Sequence, residues 1–168
     1  MGENYLEYKR LENFTRNLGE MCEIAVCNGF STKEVLEEFS KSKLAGYLES
    51  KDDWYLTMSG IQLFSELYHD TLDYESSDFE IYKSREYRVG ELFGKLQLYT
   101  GKSYRHILKC ISYRKLLLIA GEVNLSYDVI RSVAEELIYN KDNYPYFRVL
   151  VNEKNHKNIE IDEVALLV

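Results

Sequence analysis

The sequence predicts a mainly α fold with a small β component (α+β), and three observations carry that prediction. One Pro and nine Gly are spread over 168 residues, so breakers are scarce. Long stretches repeat apolar side chains at spacings of three and four, the period of an amphipathic helix. That period lapses in two places, around 44–56 and 147–168, where short strands fit better.

From Asn4 to Leu18, the residues Tyr5, Tyr8, Leu11, Phe14 and Leu18 form one helical face, which Gly19 is expected to end or kink. A shorter helix over 20–28 turns Met21, Ile24 and Ala25 inward. Asn28-Gly29 supplies a left-handed stop. Ser31 with Glu34 makes a capping box that opens a third helix with Val35, Leu36 and Phe39 inside. Leu44–Glu49 and Trp54–Leu56 read as two strands around the polar turn Lys51-Asp52-Asp53. Thr57 or Ser59 caps the next helix, carrying Ile61, Phe64, Leu67, Tyr68 and Leu72. Asp73–Asp78 is the expected linker between units at 1–75 and 76–168, which can also pack as one.

The second unit is expected to be helical over 79–99, where Ile81, Tyr82, Val89, Leu92, Phe93 and Leu96 share a broad face. Thr100-Gly101 breaks it. Ser103 caps a helix through Ala120, with Ile107, Leu108, Ile111, Leu118 and Ile119 inward, and Gly121 stops it. Ser126 caps the last, with Val129, Ile130, Val133, Ala134, Leu137 and Ile138 at helical spacing. Asn143-Tyr144-Pro145 ends the helical part, and a short terminal β-hairpin is expected from Phe147–Val151 and Ile159–Val168.

Composition narrows the function classes. At 45% hydrophobic and 29% charged, the chain reads as globular rather than disordered. No apolar run is longer than Leu116–Ala120, far short of the roughly 18 residues that span a bilayer, so no membrane association is expected. The polar N-terminus reads as no signal peptide, and Leu6 stands where an acylation signal needs Ser or Thr. Cys22, Cys27 and Cys110 are an odd number without a CxxC pair, which points to reduced thiols and a cytoplasmic location. Fifteen Tyr residues give either sticky interface surface or half-buried helix faces. Net charge is −7, with −10 over residues 1–80, +7 over 81–120 and −4 over 121–168, so one basic segment sits in an acidic protein.

That segment places Lys102, Arg105 and Lys109 three and four apart, with Tyr113 continuing the face. One reading is a phosphate-tracking strip with Tyr104 or Tyr113 for stacking; the other is a solvated face, or one paired with the acidic N-terminal half. His106 and Cys110 have a metal-compatible i, i+4 spacing but no third ligand near in sequence, so no metal and no cofactor is expected. Gly90-x-x-x-Gly94-Lys95 imitates a phosphate loop, yet it has three intervening residues instead of four and Leu96 in place of Ser or Thr. Close helix packing explains these glycines better. With three His, no paired-carboxylate motif and no nucleophile signature, no enzyme is expected.

Ala25, Gly29 and Val35 stand at the spacings of a helix-turn-helix, and Gly46-Tyr47-Leu48-Glu49, Asp52-Asp53 and Tyr55-Leu56-Thr57-x-x-Gly60 follow where a wing would lie. Over about residues 3–72 the chain thus resembles the winged helix-turn-helix superfamily of bacterial regulators. In that superfamily the second helix lies in the DNA major groove. The resemblance implies DNA-binding residues Ser31, Thr32, Lys33, Lys41, Lys43 and Lys51, and a homodimer assembled through the later helices. The chain departs from the pattern at Glu38, normally apolar and inward, and at Leu36, where a polar reader belongs. The helix is therefore rotated, or it offers an apolar patch to protein. Two functions follow as expectations. One is a cytoplasmic regulator with a winged-helix DNA-binding module and a helical dimerisation or sensing part. The alternative is an acidic protein-binding module of inhibitor, immunity or antidefence type, masking a basic partner.

Overall fold

The computed structural model describes residues 2–69, 84–122 and 124–139, with side chains from residue 9 to 136 except at 122. Among these residues every regular element is a helix. They are α1 (Gly2–Cys27), α2 (Thr32–Lys41), α3 (Lys43–Glu49), α4 (Asp53–Leu56), α5 (Gly60–Tyr68), α6 (Arg85–Thr100), α7 (Tyr104–Cys110), α8 (Tyr113–Glu122) and α9 (Tyr127–Val133). The last continues as a π-helical segment, Ala134–Tyr139. The expected linker, the start of the 79–99 helix and the terminal β-hairpin lie outside the described residues.

The long α1 is the axis of the molecule. It lies against α6 along much of its length and also holds α5 and α2. Gly19 was expected to interrupt it but does not. A β-carbon there would come within 2.7 Å of the Tyr87 carbonyl oxygen, so the glycine lets α6 approach while the helix runs through. The same holds across the contact: a β-carbon on Gly90 would stand 2.6 Å from the Leu18 carbonyl oxygen, and one on Gly94 would stand 3.1 Å from Thr15. The Gly90–Lys95 sequence is thus part of a close helix crossing. Phe14, Leu18, Met21, Leu92, Phe93 and Leu96 fill the core beside it. Buried side chains from both sides of residue 75 belong to one cluster.

The turn from α1 to α2 follows its sequence signals. Gly29 is left-handed (φ 84°), and the Phe30 N–H bonds back to the Ala25 carbonyl at 2.9 Å. Phe30 then pins the turn to α5 through the rings of Phe64 and Tyr68. Ser31 Oγ accepts the Glu34 N–H, and Glu34 reaches back, completing the capping box. Val35, Leu36 and Phe39 are buried as expected.

Beyond α2 the expectation of two strands fails. Residues 44–49 belong to α3 and residues 54–56 to α4. Ser42 ends α2 through its N–H to the Phe39 carbonyl and opens α3 by accepting the Ala45 N–H at 3.2 Å. Leu44, Ala45 and Leu48 then face the core at helical spacing. Asp52 caps α4 by accepting the Trp54 N–H at 3.0 Å. The charged turn that suggested a hairpin is a helix–helix connection, with Lys51 left-handed at φ 58°. Ser59 and Gln62 form the capping box of α5, so Ser59, not Thr57, is its start.

The helix expected from Ser103 through Ala120 is split. Ile111 is extended (φ −124°, ψ 118°), and Ser112 accepts the Lys115 N–H to begin α8. Gly101 ends α6 in the left-handed region (φ 64°), as expected. Gly121 lies inside the last turn of α8 rather than stopping it. No helix among the described residues is long and apolar enough to cross a membrane.

Candidate functional site

The sequence-predicted DNA contacts are dispersed by this fold. Ser31 is exposed but occupied as the α2 cap. Thr32 is 2% exposed, so it cannot reach DNA in this arrangement. Leu36, the anomalous residue in the reading position, is buried as well. α7 packs along α2 with Leu108 beside Leu36, and Tyr113 at the start of α8 lies by Thr32. The apolar patch that α2 offers is taken by a helix of its own chain. Lys33 is exposed and lies 4.0 Å from Glu37, one turn along α2. Lys41 and Lys43 are exposed near the junction of α2 and α3, while Lys51 lies beyond the far end of α3.

The three glutamates of α2 separate by face. Glu34 and Glu38 stand toward α5, where burial and then these carboxylates push the Tyr68 phenol above its ordinary range. Lys33 and Glu37 stand on the α7 side. There they line a shallow cleft of about 190 Å³ with Leu36, Leu108, Ser112 and Tyr113. Part of the first candidate set, Lys33, thereby joins the helix that carries the second.

In that second set Lys102 precedes the Ser103 cap and so is not on the helix, whereas Arg105 and Lys109 share its exposed face. Tyr104 cannot stack on a base. It is fully buried between Phe39 and Phe93, and its N–H donates to Glu49 Oε1 at 2.8 Å. His106 Nε2 lies 3.4 Å from Cys110 Sγ. Among the described residues no three His, Cys, Asp or Glu side chains gather as metal ligands would.

A different surface stands out on α3 and α4. Trp54, the one tryptophan of the chain, is 71% exposed. Beside it in α4, Tyr55 stacks face to face on Tyr47 of α3, with centroids 4.4 Å apart and planes 9° from parallel. Tyr47 is itself 41% exposed. The local order of the chain makes this arrangement. The Asp52 cap fixes the start of α4, and Leu56 and Leu48 anchor the two short helices in the core. Trp54 is left facing outward because it stands two residues before Leu56, on the opposite side of a single helical turn. Two carboxylates, Glu66 and Asp52, act on the Tyr55 ring. Partial burial, then Tyr47, Glu66 and Asp52, push the Tyr55 phenol above its ordinary range. Asp53 pairs with Arg10 at 3.0 Å in an exposed contact that adds little stability.

Reading Trp54–Leu56 as a strand hid this patch. The usable signal was Asp52 two residues before Trp54, a helix cap followed by an aromatic on the outward side. A second feature was also missed, a cleft of about 570 Å³ between α1, α6 and α9. Lys95 reaches its wall, bonded to Glu91 at 2.8 Å and to the Leu125 carbonyl at 3.3 Å. No family model, curated protein or solved structure matches the chain.

Proposed function

We propose that this protein is a non-enzymatic protein-binding module of inhibitor, immunity or antidefence type, and that it holds a basic partner through the α3–α4 surface. The exposed Trp54 beside the Tyr47–Tyr55 stack carries this reading. A tryptophan in water forfeits the large transfer free energy of its ring. Trp and Tyr are also the residues on which protein interfaces concentrate their binding energy. Their ring faces attract guanidinium and ammonium groups, and the carboxylates of Asp52 and Glu66 act in the same direction. The net charge of −10 over residues 1–80 favours encounter with a basic partner at longer range.

The winged-helix regulator has less to stand on. It needs strands where α3 and α4 lie and an open outer face on α2, where Thr32 and Leu36 are buried. Titration of the Trp54 emission with an arginine-rich peptide tests the proposal, with a glutamate-rich peptide as control.

A further inference from the structure

The basic segment forms a second surface, unlike the first in sign and chemistry. From Leu92 to Gly121 the sequence contains no Asp or Glu. Lys102, Arg105 and Lys109 are all exposed, and none makes an ion pair with a carboxylate among the described residues. The expected alternative, neutralisation by the acidic N-terminal half, is therefore not what the described residues do. Two carboxylates stand at the margins of this surface: Glu49 accepts the Tyr104 N–H, and Glu37 is beside Lys33.

We infer that this surface, the exposed face of α7 together with Lys102 just before its cap, binds the phosphodiester backbone of duplex nucleic acid, without reading its sequence. Two observations select this occupant over an acidic protein. The exposed positions from 101 to 115 are Gly101, Lys102, Ser103, Arg105, Lys109, Ser112 and Arg114, with no exposed large apolar side chain among them. A protein interface has an apolar core, whereas a phosphate backbone asks only for cations and hydrogen-bond donors. Ser112, exposed beside the adjoining cleft, supplies a hydroxyl of that kind. Base stacking is excluded because Tyr104, the aromatic nearest the cations in sequence, is buried, and α2 cannot present its covered face to a groove. This inference is independent of the α3–α4 proposal.

Fluorescence anisotropy with labelled duplex DNA of two unrelated sequences tests it, using the full chain at low and moderate salt. Three phosphate contacts predict about a 40-fold loss of affinity between 50 and 200 mM salt, with the two duplexes within about twofold of each other. The variant Lys102→Gln/Arg105→Gln/Lys109→Gln should lose binding while keeping its thermal unfolding profile, since all three side chains are exposed. Trp54→Ala should bind DNA normally. Absence of binding at 50 mM salt, binding unchanged in the triple variant, or competition by poly-glutamate equal to that by DNA at matched charge would each overturn the inference.

Discussion

Tyr47 and Tyr55 lie ring on ring, 4.4 Å apart, and join two short helices that Leu48 and Leu56 anchor in the core. The pair has both a structural and a recognition role, and mutation separates the two. Tyr55→Ala removes a partly buried ring packed on the core and should destabilise by about 2–4 kcal/mol. Trp54→Ala removes a ring that is mostly in water and should change stability by less than about 0.5 kcal/mol. Urea unfolding of both variants checks the contrast. Equal costs would mean that Trp54 is packed.

Two helical glycines, Gly90 at the α1–α6 crossing and Gly46 in α3, give predictions of opposite sign. Gly90→Ala forces a methyl group toward the Leu18 carbonyl, and the clash is with backbone, so it should cost about 1–3 kcal/mol. Gly46→Ala, in α3 with nothing within 4 Å, should stabilise by about 0.5–1 kcal/mol. Were residues 44–49 a strand, alanine at 46 would bring no helix-propensity gain. Paired denaturant melts decide it.

The capping serines distinguish the helical reading of 43–56 further. Ser42→Ala removes a cap from α3 and the Oγ donor to the Phe39 carbonyl at the end of α2. A loss of about 1–2 kcal/mol is expected, seen in chemical denaturation with a reduced far-ultraviolet helical signal. No loss would mean that α3 does not begin at Ser42.

Cys22, Tyr87 and Tyr104 make the fold sensitive to alkali. Burial, reinforced by Glu86, pushes the Cys22 thiol up to about 12, and burial pushes Tyr87 up to about 12 and Tyr104 higher still. All three are raised above their unfolded values, so the stability linked to their neutral forms is complete below about pH 9. It falls as pH rises toward the folded values. Urea midpoints should therefore decline from pH 9 upward. Tyr104→Phe should soften that decline and add about 1 kcal/mol at neutral pH, since the Tyr104 hydroxyl is buried without a hydrogen-bond partner in the structure. A steeper decline in Tyr104→Phe would contradict the assignment. In thiol titration at pH 8, exposed Cys27 should react first and Cys22 only on unfolding.

Signals that act within one turn of backbone were legible in the sequence. The Ser31/Glu34 box, left-handed Gly29 and Gly101, and the buried set Val35, Leu36 and Phe39 all stand where spacing put them. Signals that depend on a distant neighbour were not. Gly19 reads as a stop until α6 is seen lying against it, and Leu36 reads as misplaced until α7 covers it. The stretch 44–56 misled because Lys51-Asp52-Asp53 is equally good chemistry for a hairpin turn and for a helix cap. Asp52 bonding to the Trp54 N–H decides for the cap. For the candidate site, the residue types were visible but their exposure was not. Nothing in residues 44–56 alone says that Leu48 and Leu56 go inward and leave Trp54 in solvent.

The most direct measurement is the emission of Trp54 itself, since no other tryptophan contributes to it. Titration with an arginine-rich peptide, at low salt and at about 0.15 M, should shift the emission and saturate. Tyr47→Ala should weaken the binding by about tenfold, as loss of one interface aromatic does, and the glutamate-rich peptide should leave the spectrum unchanged. An emission spectrum that responds to neither peptide, or to both alike, would contradict the claim that α3 and α4 present a docking surface for a basic partner.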